Sequence, residues 1–359
     1  MKKILYTISC VCFLWITFVI YDQFSRVPKM LDLDMSNSAC REFQFDKGTH
    51  TIQKNCVGDR VLGNIKTKIR FNDKGLPSPN VKNKTPGVLR ICFLGGSNMV
   101  GLGIQEEYYP QKILQEEFEK ALGRKVELIN ISVEGYTTAQ HALMFVEFFD
   151  ALKPDVVISY TSSGYKIFRD AVQFSYTVRQ PNGNSIRFLK VKEIIPEWIF
   201  FLISYSETLK KMARTIIENV RFLSLERKLN ELKDNENKQA EILFSPTIEY
   251  FKFMDKFSWN NDADFYVVVD DMDIENLYAR KFYEEGPFHA LFNLFQDKII
   301  IRSRKLKQVL AINKISMLDS DAIFSKEDYF ENSIYFNKEG INKFAKNLAE
   351  NFAEAIIYQ

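Results

Sequence analysis

Histidine is scarce in this chain: only His50, His141 and His289 occur among 359 residues. They are far apart, and no Cys-x-x-Cys pair accompanies them, so the sequence gives no metal-ligand spacing and no cofactor is expected. An excess of one charge is also lacking. The 48 Lys and Arg against 46 Asp and Glu leave a formal net charge of +2, too little for a global field that would draw nucleic acid. Internal repeats are absent. The glycines after one apolar strand, Gly96-Ser-Asn-Met-Val-Gly101, have the outer spacing of a phosphate loop, but Leu102-Gly103 follow where Lys and Ser or Thr are required. They also lack the order of a dinucleotide fingerprint. What is present is an ordinary globular composition, 46% hydrophobic and 26% charged, with enough chain for a sizeable core.

At the N-terminus Lys2 and Lys3 precede eighteen uncharged residues, Ile4 to Tyr21, rich in Phe, Leu, Ile and Trp. At about 1.5 Å per residue this run is just long enough to cross a bilayer core. Asp22-Gln-Phe-Ser-Arg-Val-Pro28 contains no small-x-small cleavage site, and Cys10 lies too early to be a lipidated cysteine. The expectation is an uncleaved signal anchor over residues 1–24. It would cross the inner (cytoplasmic) membrane once, with the lysines in the cytoplasm and the C-terminal domain outside it. Of the five cysteines, Cys10 and Cys12 fall in the span and Cys92 in an apolar strand. Cys40 and Cys56 could form a disulfide in an exported domain or remain two thiols.

Residues 25–87 are polar and broken by Asn, Lys, Gly and Pro, and read as an extension wrapping the domain. From residue 88 apolar strands alternate with helical segments: Leu89–Leu94, a helix near 109–122, Val126–Val133, a helix near 138–152, and Val156–Tyr160. This alternation implies βαβ units, a parallel sheet and an α/β fold over 88–359. A helical insertion is expected at about 190–260. Within it Trp198 to Tyr205 is too short to span a bilayer and reads as a buried helix rather than an interfacial one. The sheet resumes at Phe265–Val269, with further strands expected at Ile299–Ile301 and Ile315–Leu318. A last helix, about 338–357, is apolar at Ile341, Phe344, Leu348, Phe352 and Ile356.

Several blocks of the sequence together resemble the SGNH/GDSL hydrolases. Gly95-Gly96-Ser97, with Asn98 beside it and Gly101-Leu-Gly103 beyond, is similar to the first block and puts Ser97 where that family has its nucleophile. Asn130-Ile-Ser-Val-Glu134-Gly135 is similar to the second, with Gly135 at the oxyanion-hole glycine and Glu134 a nearby pocket acid. The third block departs from the pattern: Pro154 to Tyr165 places Gly164 and Tyr165 where the oxyanion-donating Asn should stand. The last, Tyr329-Phe-Glu-Asn-Ser-Ile-Tyr-Phe-Asn-Lys-Glu-Gly340, keeps the aromatic, Asn and Gly frame but has Asn332 and Tyr335 in place of Asp and His. The resemblance implies a three-layer α/β sandwich with flavodoxin-like topology and a mostly parallel sheet.

A serine hydroxyl is a poor nucleophile without a base, and tyrosine, with a reference pKa of about 10, keeps its proton at neutral pH. A general base contributes on the order of 100 to 10,000-fold and an oxyanion donor about 100 to 1,000-fold, so little esterase activity is expected. His141 reads as a packed helix residue, and His289 likewise. Three readings stay open. One is an anchored, exported and catalytically impaired SGNH-like protein that binds cell-envelope carbohydrate or acts on its O-acyl groups. The second is an active O-acylesterase or acyltransferase in which Ser97 has a non-standard base. The third is a scaffold subunit of a polysaccharide assembly system, in contact with a membrane acyltransferase or another assembly partner. Nucleic acid is not an expected partner.

Overall fold

The computed structural model describes residues 40–44, 49–62, 65–105, 109–162, 197–204, 206, 209, 227, 231, 236–270, 306–318, 324, 326–330 and 335–357. The expected anchor at 1–24 and the expected strand at Ile299–Ile301 lie outside these residues. Among the described residues, no helix is long and apolar enough to cross a membrane.

The polar extension contains four strands in two antiparallel hairpins. β1 (Arg41–Gln44) pairs with β2 (Thr49–Ile52), and β3 (Val57–Leu62) pairs with β4 (Ile65–Arg70). A disulfide joins Cys40 to Cys56, with Cα atoms 5.7 Å apart. The extension is sewn to the domain at several points. Leu76 is buried in the main core, Ser78 Oγ accepts from the Asn130 amide at 3.0 Å, and the Lys84 ammonium pairs with Asp155.

Among the described residues the domain is built on five strands: β5 (Leu89–Leu94), β6 (Val126–Asn130), β7 (Val156–Ser162), β8 (Asp264–Asp270) and β9 (Met317–Leu318). Their order across the sheet is β6-β5-β7-β8-β9 and every pairing is parallel. Counting from β5, this is 2-1-3-4-5, the flavodoxin-like order. Side chains alternate between two cores with the two-residue period of a strand. Ile91, Phe93, Ile158, Tyr160, Tyr266 and Val268 face one layer, and Cys92, Leu94, Val157, Phe265, Val267 and Val269 face the other. With both faces covered, β5 is almost wholly buried, as parallel strands are.

A short helical turn, α1 (Ser97–Val100), follows β5. The first layer holds α2 (Pro110–Leu122) and the C-terminal helix, which touch edge to face through Phe118 and Phe352, with ring centroids 5.2 Å apart. The second holds α3 (Thr138–Leu152) and a long crossover helix that returns the chain to β8. Thr137 and Gln140 form a capping box at the start of α3, which fixes where the loop after β6 ends. Between β7 and β8 lie α4 (Glu197–Ser204) and the crossover helix, α5 (Glu236–Trp259). The last part of the expected insertion is thus also core, because α5 buries Phe244, Tyr250, Phe251 and Met254. The expectation of a buried helix at Trp198–Tyr205 is corrected: α4 is helical, but Trp198 and Phe201 are exposed. The C-terminal helix, α6 (Lys338–Ile357), buries Ile341, Phe344, Leu348 and Phe352, the stripe its three- and four-residue spacing predicts.

An all-buried arginine ties the sheet together at its other end. Arg90 is 1% exposed, and its side chain donates to Glu127 at 2.8 Å, to the Lys82 carbonyl at 2.9 Å and to the Leu152 carbonyl. Its own amide donates to Asp155 at 2.8 Å.

Candidate active site

In open α/β sheets ligands bind beyond the carboxyl ends of the strands, where the strand order reverses. Here that point lies between β5 and β7, and Ser97 stands directly after β5. From Arg90 to Gly101 every residue is buried except Ser97, which is half-buried. The sharp turn is a matter of space. A Cβ on Gly95 would stand 2.5 Å from Met99 Cγ, 2.7 Å from Met99 Cβ and 3.0 Å from Ser132 Oγ. Gly96 is extended, and its carbonyl accepts from the amides of Met99 and Val100 at 3.0 Å each. The turn closes at Gly101, in the left-handed region at φ 81°, which favours glycine.

The loop after β6 is held against this turn by main-chain bonds continuing the ladder: Ile131 N donates to Phe93 O at 2.9 Å and Val133 N to Gly95 O at 3.2 Å. Glu134 and Gly135 therefore sit on a loop fixed beside the serine turn, Gly135 at φ 74° and both half-buried. Asn130 braces the two segments. Its Nδ2 donates to Met99 O at 2.6 Å and its Oδ1 accepts from Ser132 N at 3.0 Å. No site role for Asn130 follows from the sequence reading. The available signal is an Asn at the end of an apolar run, where its side chain can bond the amide two residues on. Two buried hydroxyls on the neighbouring segments, Ser132 Oγ and Thr161 Oγ1, have no hydrogen-bond partner among the described residues.

The last block reaches the same place from the far end of the chain. Phe336 N donates to Asn98 Oδ1 at 3.2 Å, so the residue beside Tyr335 is bonded to the residue beside Ser97. Asn98 itself is 8% exposed, and it links the serine turn to Phe336. The Tyr335 carbonyl accepts from Phe330 N at 3.0 Å, and an antiparallel bridge pairs Tyr329 with Phe336. The family-like Asn and Gly of this block have structural duties. Asn337 Oδ1 accepts from the Gly340 amide at 3.0 Å, an N-cap for α6, while its Nδ2 donates to the carbonyls of Glu327 and Tyr329. Gly340 leaves room for the Asp328 carbonyl, only 2.0 Å from where a Cβ would be.

Asn332 and Gly164 lie outside the described residues. Ser97, Gly96, Asn98, Glu134, Gly135 and Tyr335 stand on segments that these hydrogen bonds join. His141 is buried on α3 at 2% exposure, its ring 5.7 Å from that of Tyr136. The backbone of His50 belongs to β2, paired with Phe43, and His289 lies outside the described residues. Cys92 is no rival nucleophile, because burial pushes its thiol far above the ordinary range. Among the described residues, no cluster of His, Cys, Asp or Glu could hold a metal ion.

The strand order, with a serine turn after its first strand and a glycine turn after its second, is the α/β arrangement that the resemblance to the SGNH/GDSL hydrolases implies. No family model and no curated protein matches the chain. Among solved structures it is similar to TesA, at 10% identity over 73% of this chain and 97% of that one, with a TM-score of 0.38. It is similar also to the psychrotrophic esterase EstA from Pseudoalteromonas sp., at 12% identity over 75% and 98%, with a TM-score of 0.37. A GDSL-like lipase from Bacteroides thetaiotaomicron gives 12% identity over 77% and 93%, with a TM-score of 0.37.

Proposed function

We propose that this chain is a membrane-anchored, exported SGNH-hydrolase-like protein with impaired ester hydrolysis, whose cleft binds O-acylated carbohydrate of the cell envelope. The observation that carries this reading is the bond between the serine turn and the residue after Tyr335. Asn98 beside Ser97 is bonded to Phe336 beside Tyr335, so the segment in the position of the family's base is present and docked, with tyrosine at that position. A phenol can donate a hydrogen bond to a serine or a ligand but does not take a proton at neutral pH. The Cys40–Cys56 disulfide supports an oxidising compartment, and the Lys2-Lys3 pair before an uncharged run supports an anchor. The carbohydrate ligand is drawn from the resemblance.

Full-length protein in detergent micelles, treated with a fluorophosphonate probe beside its Ser97→Ala variant, tests the reading. Absence of Ser97-dependent labelling in folded protein is expected. Labelling of the wild type alone would overturn impairment and favour acyl-ester hydrolysis or transfer at Ser97. Binding of acetylated, but not deacetylated, envelope polysaccharide is expected, and equal indifference to both would overturn the ligand assignment.

A further inference from the structure

Helix α4 carries six consecutive large apolar residues, Trp198-Ile-Phe-Phe-Leu-Ile203. Trp198 and Phe201 stand three positions apart, hence on one side of the helix, and are 66% and 58% exposed. Ile199 and Ile203 are half-buried. Among the described residues, the other highly exposed large apolar side chains, Trp259, Ile312 and Ile357, come singly from separate places in the sequence. Scattered residues of that kind need no explanation, whereas a paired aromatic face marks a contact surface.

The rest of the chain indicates what covers that face. The eighteen uncharged residues Ile4–Tyr21 are separated from Cys40, the first described residue, by the eighteen residues 22–39. Fully extended, that link reaches at most about 60 Å, so an anchored domain stays close to the bilayer. An eight-residue helix is about 12 Å long, far short of a hydrocarbon core of about 30 Å, but suited to lying in the headgroup layer. Tryptophan favours that layer, where its ring meets acyl chains and its N–H meets water. Between positions 190 and 214 the sequence carries Lys190, Lys192, Lys210, Lys211 and Arg214 against Glu193, Glu197 and Glu207, a balance that suits anionic headgroups.

We propose that α4 lies in the headgroup layer of the membrane with Trp198 and Phe201 inserted, giving the domain a second attachment besides its anchor. The inference rests on the anchored part of the proposed function, and the test separates the two.

The full-length chain is reconstituted into vesicles of phosphatidylcholine and phosphatidylglycerol whose acyl chains carry bromine, a contact quencher of tryptophan. Three versions each keep one of the tryptophans at 15, 198 and 259, the other two being replaced by Phe. The expected result is blue-shifted, bromine-quenched emission from Trp198 and unquenched emission from Trp259, with Phe201→Ser weakening the Trp198 quenching. Unquenched Trp198 with quenched Trp15 would overturn the inference and leave the anchor standing; so would a blue shift of Trp198 without quenching, which would mean that protein covers it. Both unquenched would overturn both. Quenched Trp198 with unquenched Trp15 would keep the second attachment and remove the anchor. Equal quenching of Trp259 would overturn the inference, since the whole surface would then be touching lipid.

Discussion

Gly340→Ala puts two opposing effects on one position. Gly340 lies in the first turn of α6 and its φ is not in the left-handed region, so helix propensity alone favours alanine by about 1 kcal/mol. Packing opposes this. The new methyl would stand 2.0 Å from the Asp328 carbonyl oxygen and 3.0 Å from both Asp328 C and Phe336 Cδ1. The blocking atom is main chain and cannot swing aside. It also accepts the Asn337 amide at 3.0 Å, so to restore ordinary contact either α6 or the 3₁₀ turn Lys326–Asp328 must move by more than an ångström. Overpacking of this kind costs about 1–3 kcal/mol, occasionally more, and exceeds the propensity gain. In a chain of this size each kcal/mol lowers the melting temperature by about 1–2 °C. The expected outcome is a fall of a few degrees, with faster hydrogen exchange at the Phe336 amide as its bond to Asn98 loosens. Glu339→Ala, at an exposed neighbouring position, is the control and should change little. A Gly340→Ala protein as stable as wild type, with Phe336 protection intact, would refute the steric argument.

Arg90→Met keeps the bulk but strands Glu127 and two carbonyls, and should cost about 3 kcal/mol in denaturant unfolding; a loss below about 1 kcal/mol would show that the clamp is dispensable. Replacing Tyr335 by His together with Asn332 by Asp supplies the missing base and its orienting acid. Fluorophosphonate labelling of Ser97 should then rise on the order of 100-fold or more, and no gain would mean that position 335 does not address Ser97. Partial burial of Asp255 raises its carboxyl above the ordinary range by penalising the charged form. The folded state therefore binds the proton more tightly than the unfolded one, and stability falls as pH rises through that window. Asp255→Asn should melt higher than wild type at pH 7, with the gap closing below about pH 4; a pH-independent gap would exclude titration as its cause.

The sheet and the C-terminal helix were legible because their signals are local. Leu89–Leu94 is continuous apolar sequence, as a doubly covered strand must be, and Ile341, Phe344, Leu348 and Phe352 repeat at helical spacing. The hairpins were not, because β3 and β4 mix charged and apolar residues and depend on pairing with each other, which composition does not report. Exposure of Trp198 and Phe201 was illegible for a related reason: an apolar run fixes what a segment prefers, not what stands next to it. At the site, the serine and glycine turns could be read from their glycines. The Asn98–Phe336 bond could not, since no local pattern connects residues 238 positions apart.

That separation has a consequence for how the protein is made. The chain reaches Ser97 early in synthesis and Phe336 near its end, so the serine turn lacks one of its fixed neighbours for nearly the whole time the chain is emerging. Contacts this distant carry a large loop-closure cost and form late. The site is thus completed only when α6 has docked against α2, and a chain truncated before residue 336 would carry Ser97 on a turn with its Asn98 bond unmade.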